Sequence, residues 1–166
     1  MIADPVARGR ALAEFYVALE PRLFADLEDS GVLPHDARSP DVRAEWQCFA
    51  LYACVRGLVA AGGFNRETAA AIDALHEDVL ARWLEESGAG AAFDARRARV
   101  AERYAEYGAI GQAGGAAGAV TVTARLGDAA ARHLADGATS AELGALAGAL
   151  HEALAEGAAE AVRRGA

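Results

Sequence analysis

Residues 45–61 read EWQCFALYACVRGLVAA, a segment that is apolar on almost every side of a helix. An amphipathic helix covers a core with one face, whereas a helix that is apolar all round is enclosed by other helices. The segment therefore predicts the central helix of a bundle. Residues 39–41, Ser-Pro-Asp, are typical of its start, and Gly62-Gly63 is typical of its end.

Two further helices are predicted next to the central one. Asp4 followed by Pro5 is a cap and a first helical residue, and apolar residues then recur at helical spacing to about Asp29. Pro21 is expected to kink or split this first helix, because proline lacks the N–H that a helix interior uses. After the central helix, Asn65 is predicted to cap a third one.

Three more helices are predicted after a Gly/Ser linker at 87–93, over residues 94–107, 119–135 and 139–163. Asp94 is the expected cap of the first of them, and Thr139 with Glu142 forms a capping box for the last. Between 108 and 118 the sequence leaves helix and loop open. Glycines recur there on what would be one helical stripe, at Gly108, Gly111, Gly115 and Gly118. Five or six helices without a strand pair predict an all-α bundle.

The tetrapeptide Ala-Leu-His-Glu occurs twice, at 74–77 and 149–152. Around it, residues 41–77 align with 116–152 without a gap. Such a match predicts an internal duplication. The alternative is that two alanine-rich helices resemble each other through composition alone.

The length of 166 residues fits one domain that buries its own core. We therefore assign residues 1–166 to a single helical domain. If the duplication is real, the domain consists of two pseudo-duplicated three-helix halves, 4–86 and 94–164, which the linker 87–93 joins.

The charge balance argues against a nucleic-acid partner. The net charge is −8 and the pI is about 5.0, which opposes the phosphate neutralisation that DNA and RNA binding require. The basic cluster in the chain is predicted to be the solvated face of a helix, compensated by Glu102 and Glu106 at helical spacing. This cluster contains Arg96, Arg97, Arg99 and Arg103.

The chain shows neither a secretory signal nor a membrane span, because its longest apolar stretch is short and interrupted by Arg56. Cys48 and Cys54 are six residues apart, which is neither a redox nor a zinc spacing. We expect both to be reduced core residues of a cytoplasmic protein.

Arg56 is the most informative single residue, because burying a guanidinium in a core costs several kcal/mol unless an acceptor pairs with it. One hypothesis pairs it with an acid on a neighbouring helix, such as Asp73 or Glu77, or lets its head reach the edge of the fold. The other makes it the anchor for an anionic or carbonyl-bearing ligand in a cavity. The predicted aromatic walls of that cavity are Trp46, Tyr52, Tyr104 and Tyr107.

His76 and His151 lie on or beside apolar helical stripes, which is typical of core histidines. In a ligand-binding protein either could line the cavity, and Glu45 or His76 is the candidate for proton transfer. A metal held between the two histidines is a weaker alternative, since the pairs that di-iron bundles and zinc proteases use are missing. We predict no metal and no cofactor.

The sequence favours a non-enzymatic binding or assembly module that forms a homodimer. Trp46, Phe49 and Tyr52 align with small residues in the second half, and small side chains let two subunits approach closely. The alternative is a small-molecule-binding protein or enzyme with a central pocket anchored by Arg56. The residues alone do not decide between enzyme and binding module.

Overall fold

The structure is a computed structural model that describes residues 4–34, 40–114, 118–138 and 140–164. Six helices hold 88% of these residues, and none of these residues lies in a strand. The predicted all-α, single-domain bundle is confirmed. The helices are α1 (Pro5–Asp29), α2 (Pro40–Gly62), α3 (Arg66–Ser87), α4 (Ala91–Gly114), α5 (Ala119–Leu134) and α6 (Ala141–Arg164).

Side chains cap three helices at their starts. The Asp4 carboxylate accepts from the amide of residue 6 at 3.1 Å, and the Asn65 side chain accepts from the amide of residue 68 at 2.9 Å, both as predicted. At the start of α6 the hydroxyl of Ser140 accepts from the amide of residue 143 at 3.1 Å. The predicted cap Thr139 lies outside the described residues, and Ser140 takes the capping role one position later.

Pro21 does not split the first helix. Helix α1 continues from Pro5 to Asp29 with this proline in its interior. Of the two predicted effects, the split was wrong and the kink stays a prediction, because the proline removes one hydrogen bond while packing of α1 along α3 holds the rest of the helix in place.

The connection between α3 and α4 is shorter than predicted. Helix α4 begins at Ala91, so Asp94 lies inside its first turn and does not cap it. The same helix continues past Tyr107 to Gly114, which makes Gly108 and Gly111 helical. Gly118 precedes α5 with a φ of +89°, and Gly115 lies outside the described residues.

Helix α2 lies in the middle of the bundle, as its sequence predicts. It contacts all five other helices, most extensively α6. Between positions 42 and 58 nearly every residue is buried, and the partly exposed ones are Arg43, Tyr52, Val55 and Arg56. Cys48 and Cys54 are buried free thiols in this core.

Small residues bring helices of one chain together. A Cβ at Gly57 of α2 would lie 2.6 Å from the carbonyl oxygen of Ala155 in α6. A Cβ at Gly127 of α5 would overlap the carbonyl oxygen of Gly144. Both contacts are too close for a real side-chain carbon, so the close approach of α6 to α2 and α5 requires glycine at these two positions.

The packing does not repeat between the two halves of the sequence. Helix α1 packs along α3, but no Cα atoms of the corresponding helices α4 and α6 come within 8 Å of each other in the described residues. Helix α5 packs along α6, whereas α2 touches α3 only lightly. The duplication therefore stays a prediction from the sequence, and one core runs through both halves.

Within the described ranges, none of the helices combines the length and the apolar character that crossing a lipid bilayer requires.

Candidate functional site

Arg56 finds its partner on the last helix. Its Nη1 donates to Oε2 of Glu152 at 3.0 Å, and the hydroxyl of Thr123 donates to the same oxygen at 2.6 Å. The predicted pairing with an acid on a neighbouring helix is confirmed. The two examples, Asp73 and Glu77, were wrong, because α6 and not α3 packs along the face of α2 that carries this arginine. The Arg56 side chain remains 23% exposed.

The Glu152 carboxylate is held in its charged form. Partial burial acts to raise its pKa, but the Thr123 hydrogen bond and the positive charge of Arg56 outweigh it and lower the pKa below its usual value. Arg56 is therefore neutralised on one side by a fixed anion. The described contacts of its guanidinium use Nη1 alone.

An open cleft of about 720 Å³ lies beside Arg56, between α2, α4 and the start of α5. Most of its wall is apolar or glycine backbone. It is lined by Tyr52, Val55, Arg56, Val59, Ala60, Phe64, Gly108, Gly111, Gln112, Gly114, Gly118 and Val122. Phe64 is 94% exposed at its edge. Gly108 of α4 has nothing within 4 Å of its missing Cβ and leaves open space in the cleft, whereas Gly114 makes room for Val122 of α5.

Only two of the eight predicted site residues, Tyr52 and Arg56, line this cleft. Tyr52 forms its inner wall, and burial raises the pKa of its hydroxyl, although the nearby charge of Arg56 acts in the opposite direction. Behind Tyr52 lie the rings of Tyr104 and Tyr107, with centroids at 5.2 and 5.5 Å. These two tyrosines support the wall without lining the cleft.

His76 is on the far side of the tyrosine pair. Its Nε2 lies 2.8 Å from the hydroxyl oxygen of Tyr104, a hydrogen bond between α3 and α4. Burial lowers the pKa of His76, and the charge of Asp73 opposes that shift. His76 therefore acts here as a neutral hydrogen-bonding partner, separated from the cleft by Tyr104 and Tyr52.

His151 is fully buried against the central helix. Its ring stacks on Phe49 with centroids 4.2 Å apart, and its pKa is lowered to about 3 by burial and by the charge of Arg56, with the Phe49 main chain acting in the opposite direction. No described residue forms a hydrogen bond of normal geometry with either ring nitrogen, or with the hydroxyl of Tyr107. The imidazole is neutral over the physiological pH range.

Trp46 is a core residue and not a wall of the cleft. It has no exposed surface, and its Nε1 donates to the carbonyl of Glu20 at 3.3 Å. Its ring packs between Phe24 and Phe49, at centroid distances of 6.3 and 6.2 Å.

Glu45 is fully engaged by α4. Arg103 donates to both carboxylate oxygens at 2.7 and 3.0 Å, and Arg99 approaches one of them at 3.0 Å. This corrects the prediction that the basic cluster is a solvated face. Its main counter-charges come from α2, while Glu106 bonds instead to His133 at 2.6 Å.

The described residues contain no group of three or more histidine, cysteine or carboxylate side chains placed to hold a metal ion. His76 and His151 do not meet, because Tyr104 and Tyr52 lie between them.

Glu152, Thr123 and Phe64 were missed by the sequence analysis. The repeated tetrapeptide contained the signal for Glu152, since this carboxylate directly follows His151 and shares its helix. Thr123 carried no signal, because it is 29 positions from Glu152 in the chain and no local spacing links the two residues. Comparison of the chain with protein-family models, curated proteins and solved structures finds no match.

Proposed function

We propose that this protein is a non-enzymatic binding protein for a small apolar molecule that carries an anionic group. The single observation behind the proposal is the cleft of about 720 Å³, whose wall is mostly apolar and whose one charged lining residue among those described is Arg56. Ligand sites in proteins are typically concave and apolar, with a few polar groups that set orientation.

The contacts of Arg56 support its role as the anchor. A guanidinium has five N–H donors, and the described contacts with Glu152 use one of its nitrogens. The other donors remain for a carboxylate or a similar anion, which pairs well with a planar guanidinium. Glu152 and Thr123 hold the arginine in place from behind.

The enzymatic alternative has less support. It assigned proton transfer to Glu45 or His76, but both carboxylate oxygens of Glu45 are held by arginines and His76 is bonded to Tyr104. Neither residue is among those that line the cleft. A binding role uses the residues that do line it.

A homodimer is the second candidate function, and exposed apolar side chains favour it. Phe64 at the edge of the cleft is 94% exposed, and Val120, between two lining residues in sequence, is 86% exposed. Large apolar side chains grouped on a surface are typical of contact sites. The proposed dimer therefore uses this face.

A cytoplasmic location and the lack of a nucleic-acid partner remain parts of the proposal. The two buried free thiols support a reducing compartment. The net charge of −8 argues against phosphate backbones, as does the pairing of Arg99 and Arg103 with Glu45.

The test uses dodecanoate as the probe, dodecanol as its uncharged match, and titration calorimetry as the measurement. We expect dodecanoate to bind, and Arg56→Gln to weaken its binding by about tenfold or more, since a charge-assisted hydrogen bond contributes roughly 1.5–3 kcal/mol. Arg97→Gln, at an exposed arginine outside the cleft, is the matched control and should leave the affinity unchanged.

A second variant tests the apolar part of the cleft. A Cβ at Gly108 meets nothing within 4 Å, so Gly108→Leu fills the cleft without a backbone clash. It should abolish dodecanoate binding, while Gly108→Ala should retain most of it. Equal binding of dodecanol, or unchanged affinity in both Arg56→Gln and Gly108→Leu, would contradict the proposal.

Light scattering on Phe64→Ser, compared with the wild type, tests the dimer separately.

A further inference from the structure

A second cavity lies on another side of the bundle, away from the Arg56 cleft. It is an open pocket of about 440 Å³ between α1, α2 and α3. Its lining is formed by Tyr16, Val17, Glu20, Pro21, Arg43, Gln47, Val79, Arg82, Trp83, Glu85 and Glu86. None of these residues belongs to the cleft described above.

Glu20 is the unusual member of this lining. It is only 3% exposed, and its Oε2 accepts from Nη2 of Arg43 at 2.8 Å. Its other oxygen, Oε1, is buried and forms no hydrogen bond of normal geometry with any described residue, although the side-chain amide of Gln47 acts on the carboxylate. A buried acceptor without a donor destabilises the protein. A ligand that supplies a donor to this oxygen should therefore bind more tightly than one that does not.

Pro21 changes the helical hydrogen bonding at the same place. In a helix the N–H of residue 21 would donate to the carbonyl of Val17, but proline has no N–H. Both residues line the cavity. The carbonyl of Val17 therefore lacks its usual helical donor within one turn of Glu20.

The carboxylates around the cavity outnumber the arginines that are free to pair with them, so a ligand with a positive charge would find a partner there. Every arginine in or beside it is already paired with a carboxylate, in the pairs Arg43–Glu20, Arg82–Glu14 and Arg96–Glu86. Glu85 also lines the cavity and forms no ion pair with any described residue. What the cavity lacks is a donor with positive charge.

We propose that this cavity binds a primary ammonium group carried on a short apolar body. The ammonium donates to Oε1 of Glu20 and to the carbonyl of Val17, while the apolar body packs against Val79 and Trp83. An ammonium matches the site because it is small and has three donors and no acceptor. The source is either a free organic amine or the side chain of a lysine in a partner.

The binding should strengthen as pH rises. Burial raises the pKa of Glu20 to about 7, although Arg43, Arg96 and the side-chain amide of Gln47 act to lower it, and Glu86 acts to raise it slightly. The ammonium pairs with ionised Glu20. Below pH 7 Glu20 is mostly protonated, so it must lose its proton before the ammonium binds. The affinity should therefore fall by about tenfold between pH 8 and pH 6.

The test measures binding of phenethylammonium by calorimetry, with phenethyl alcohol and 3-phenylpropionate as neutral and anionic matches. N-acetyl-lysine methylamide serves as the probe for a lysine side chain. We expect phenethylammonium to bind and its two matches to bind at least about tenfold more weakly. Tighter binding of the lysine derivative would also support the ammonium site and would assign it to a partner's lysine.

Two variants and one control test the residues. Glu20→Gln should weaken phenethylammonium binding about tenfold or more, whereas Glu160→Gln, the same change at an exposed site on α6, should not. Pro21→Ala returns the N–H to the Val17 carbonyl, so it should weaken binding about fivefold, the equivalent of one neutral hydrogen bond. Equal binding of 3-phenylpropionate, or full affinity in Glu20→Gln, would overturn the proposal.

A measurement on the wild type covers the case in which Glu20→Gln does not fold. In protein labelled with ¹³C at glutamate side-chain carboxyls, a pH titration follows the carboxyl shift of Glu20. Saturating phenethylammonium should lower its apparent pKa. A pKa that the amine does not move would overturn the proposal.

Discussion

At the scale of single residues, His151 illustrates how a buried group makes stability depend on pH. Its folded pKa of about 3 lies below the ordinary value of 6.5. The unfolded chain therefore binds a proton below pH 6.5 that the folded chain does not bind. The stability that a neutral His151 contributes is complete above pH 6.5 and is lost as pH falls towards 3.

Replacing His151 by leucine should remove this loss. When the pH is lowered from 7 to 4.5, the free energy of unfolding of His151→Leu should rise by about 3 kcal/mol relative to that of the wild type. Urea unfolding at each pH measures this difference. Phe49→Leu is the control, because it disturbs the same ring stack without changing a titrating group. A constant difference between His151→Leu and the wild type at all pH values would contradict the buried, uncharged state of this histidine.

The pairing of Arg56 shows what the sequence predicts at this scale and what it leaves out. A lone cation in an apolar helix must have an acceptor, and the structure bears this out. The identity of the acceptor depends on which helix packs along that face. Glu152 is 96 positions away in the chain, so no local spacing identifies it.

At the scale of helices, local signals predicted the starts better than the interiors. Asp4 and Asn65 cap α1 and α3 as expected because a cap depends on a few adjacent residues. The continuity of α1 through Pro21 depends on tertiary packing. The helical state of Gly108 has the same origin, since α4 packs against α5 beyond Tyr107.

Two glycines inside helices should respond oppositely to the same substitution. Gly108→Ala adds a methyl group where nothing lies within 4 Å and should stabilise the protein by up to about 1 kcal/mol through helix propensity. Gly57→Ala places a Cβ 2.6 Å from the carbonyl oxygen of Ala155 and should destabilise it by about 1–3 kcal/mol. Calorimetric melting of both variants checks this, and a shared direction of change would contradict the close packing of α2 on α6.

At the scale of the whole molecule, α2 connects two buried titrating groups that act in opposite directions. Helix α2 stacks Phe49 on His151 at one side and pairs Arg43 with Glu20 at the other. Glu20 has a folded pKa of about 7, above its ordinary value of 4.5. The stability that goes with its protonated form is complete below pH 4.5 and is lost as pH rises through 7.

Between pH 4.5 and 6.5 the two contributions should oppose each other. His151 adds about 1 kcal/mol of stability per unit of rising pH in this interval, and Glu20 removes a similar amount. His76, whose pKa is also lowered by burial, acts in the same direction as His151, so each variant is compared with the wild type. Relative to the wild type, stability should rise more steeply with pH in Glu20→Gln and less steeply in His151→Leu, and the double variant should return close to the wild-type slope. Urea unfolding at half-unit steps of pH measures all four slopes. A wild type with the slope of either single variant would mean that one of the two groups titrates normally, and the opposing pair would then not exist.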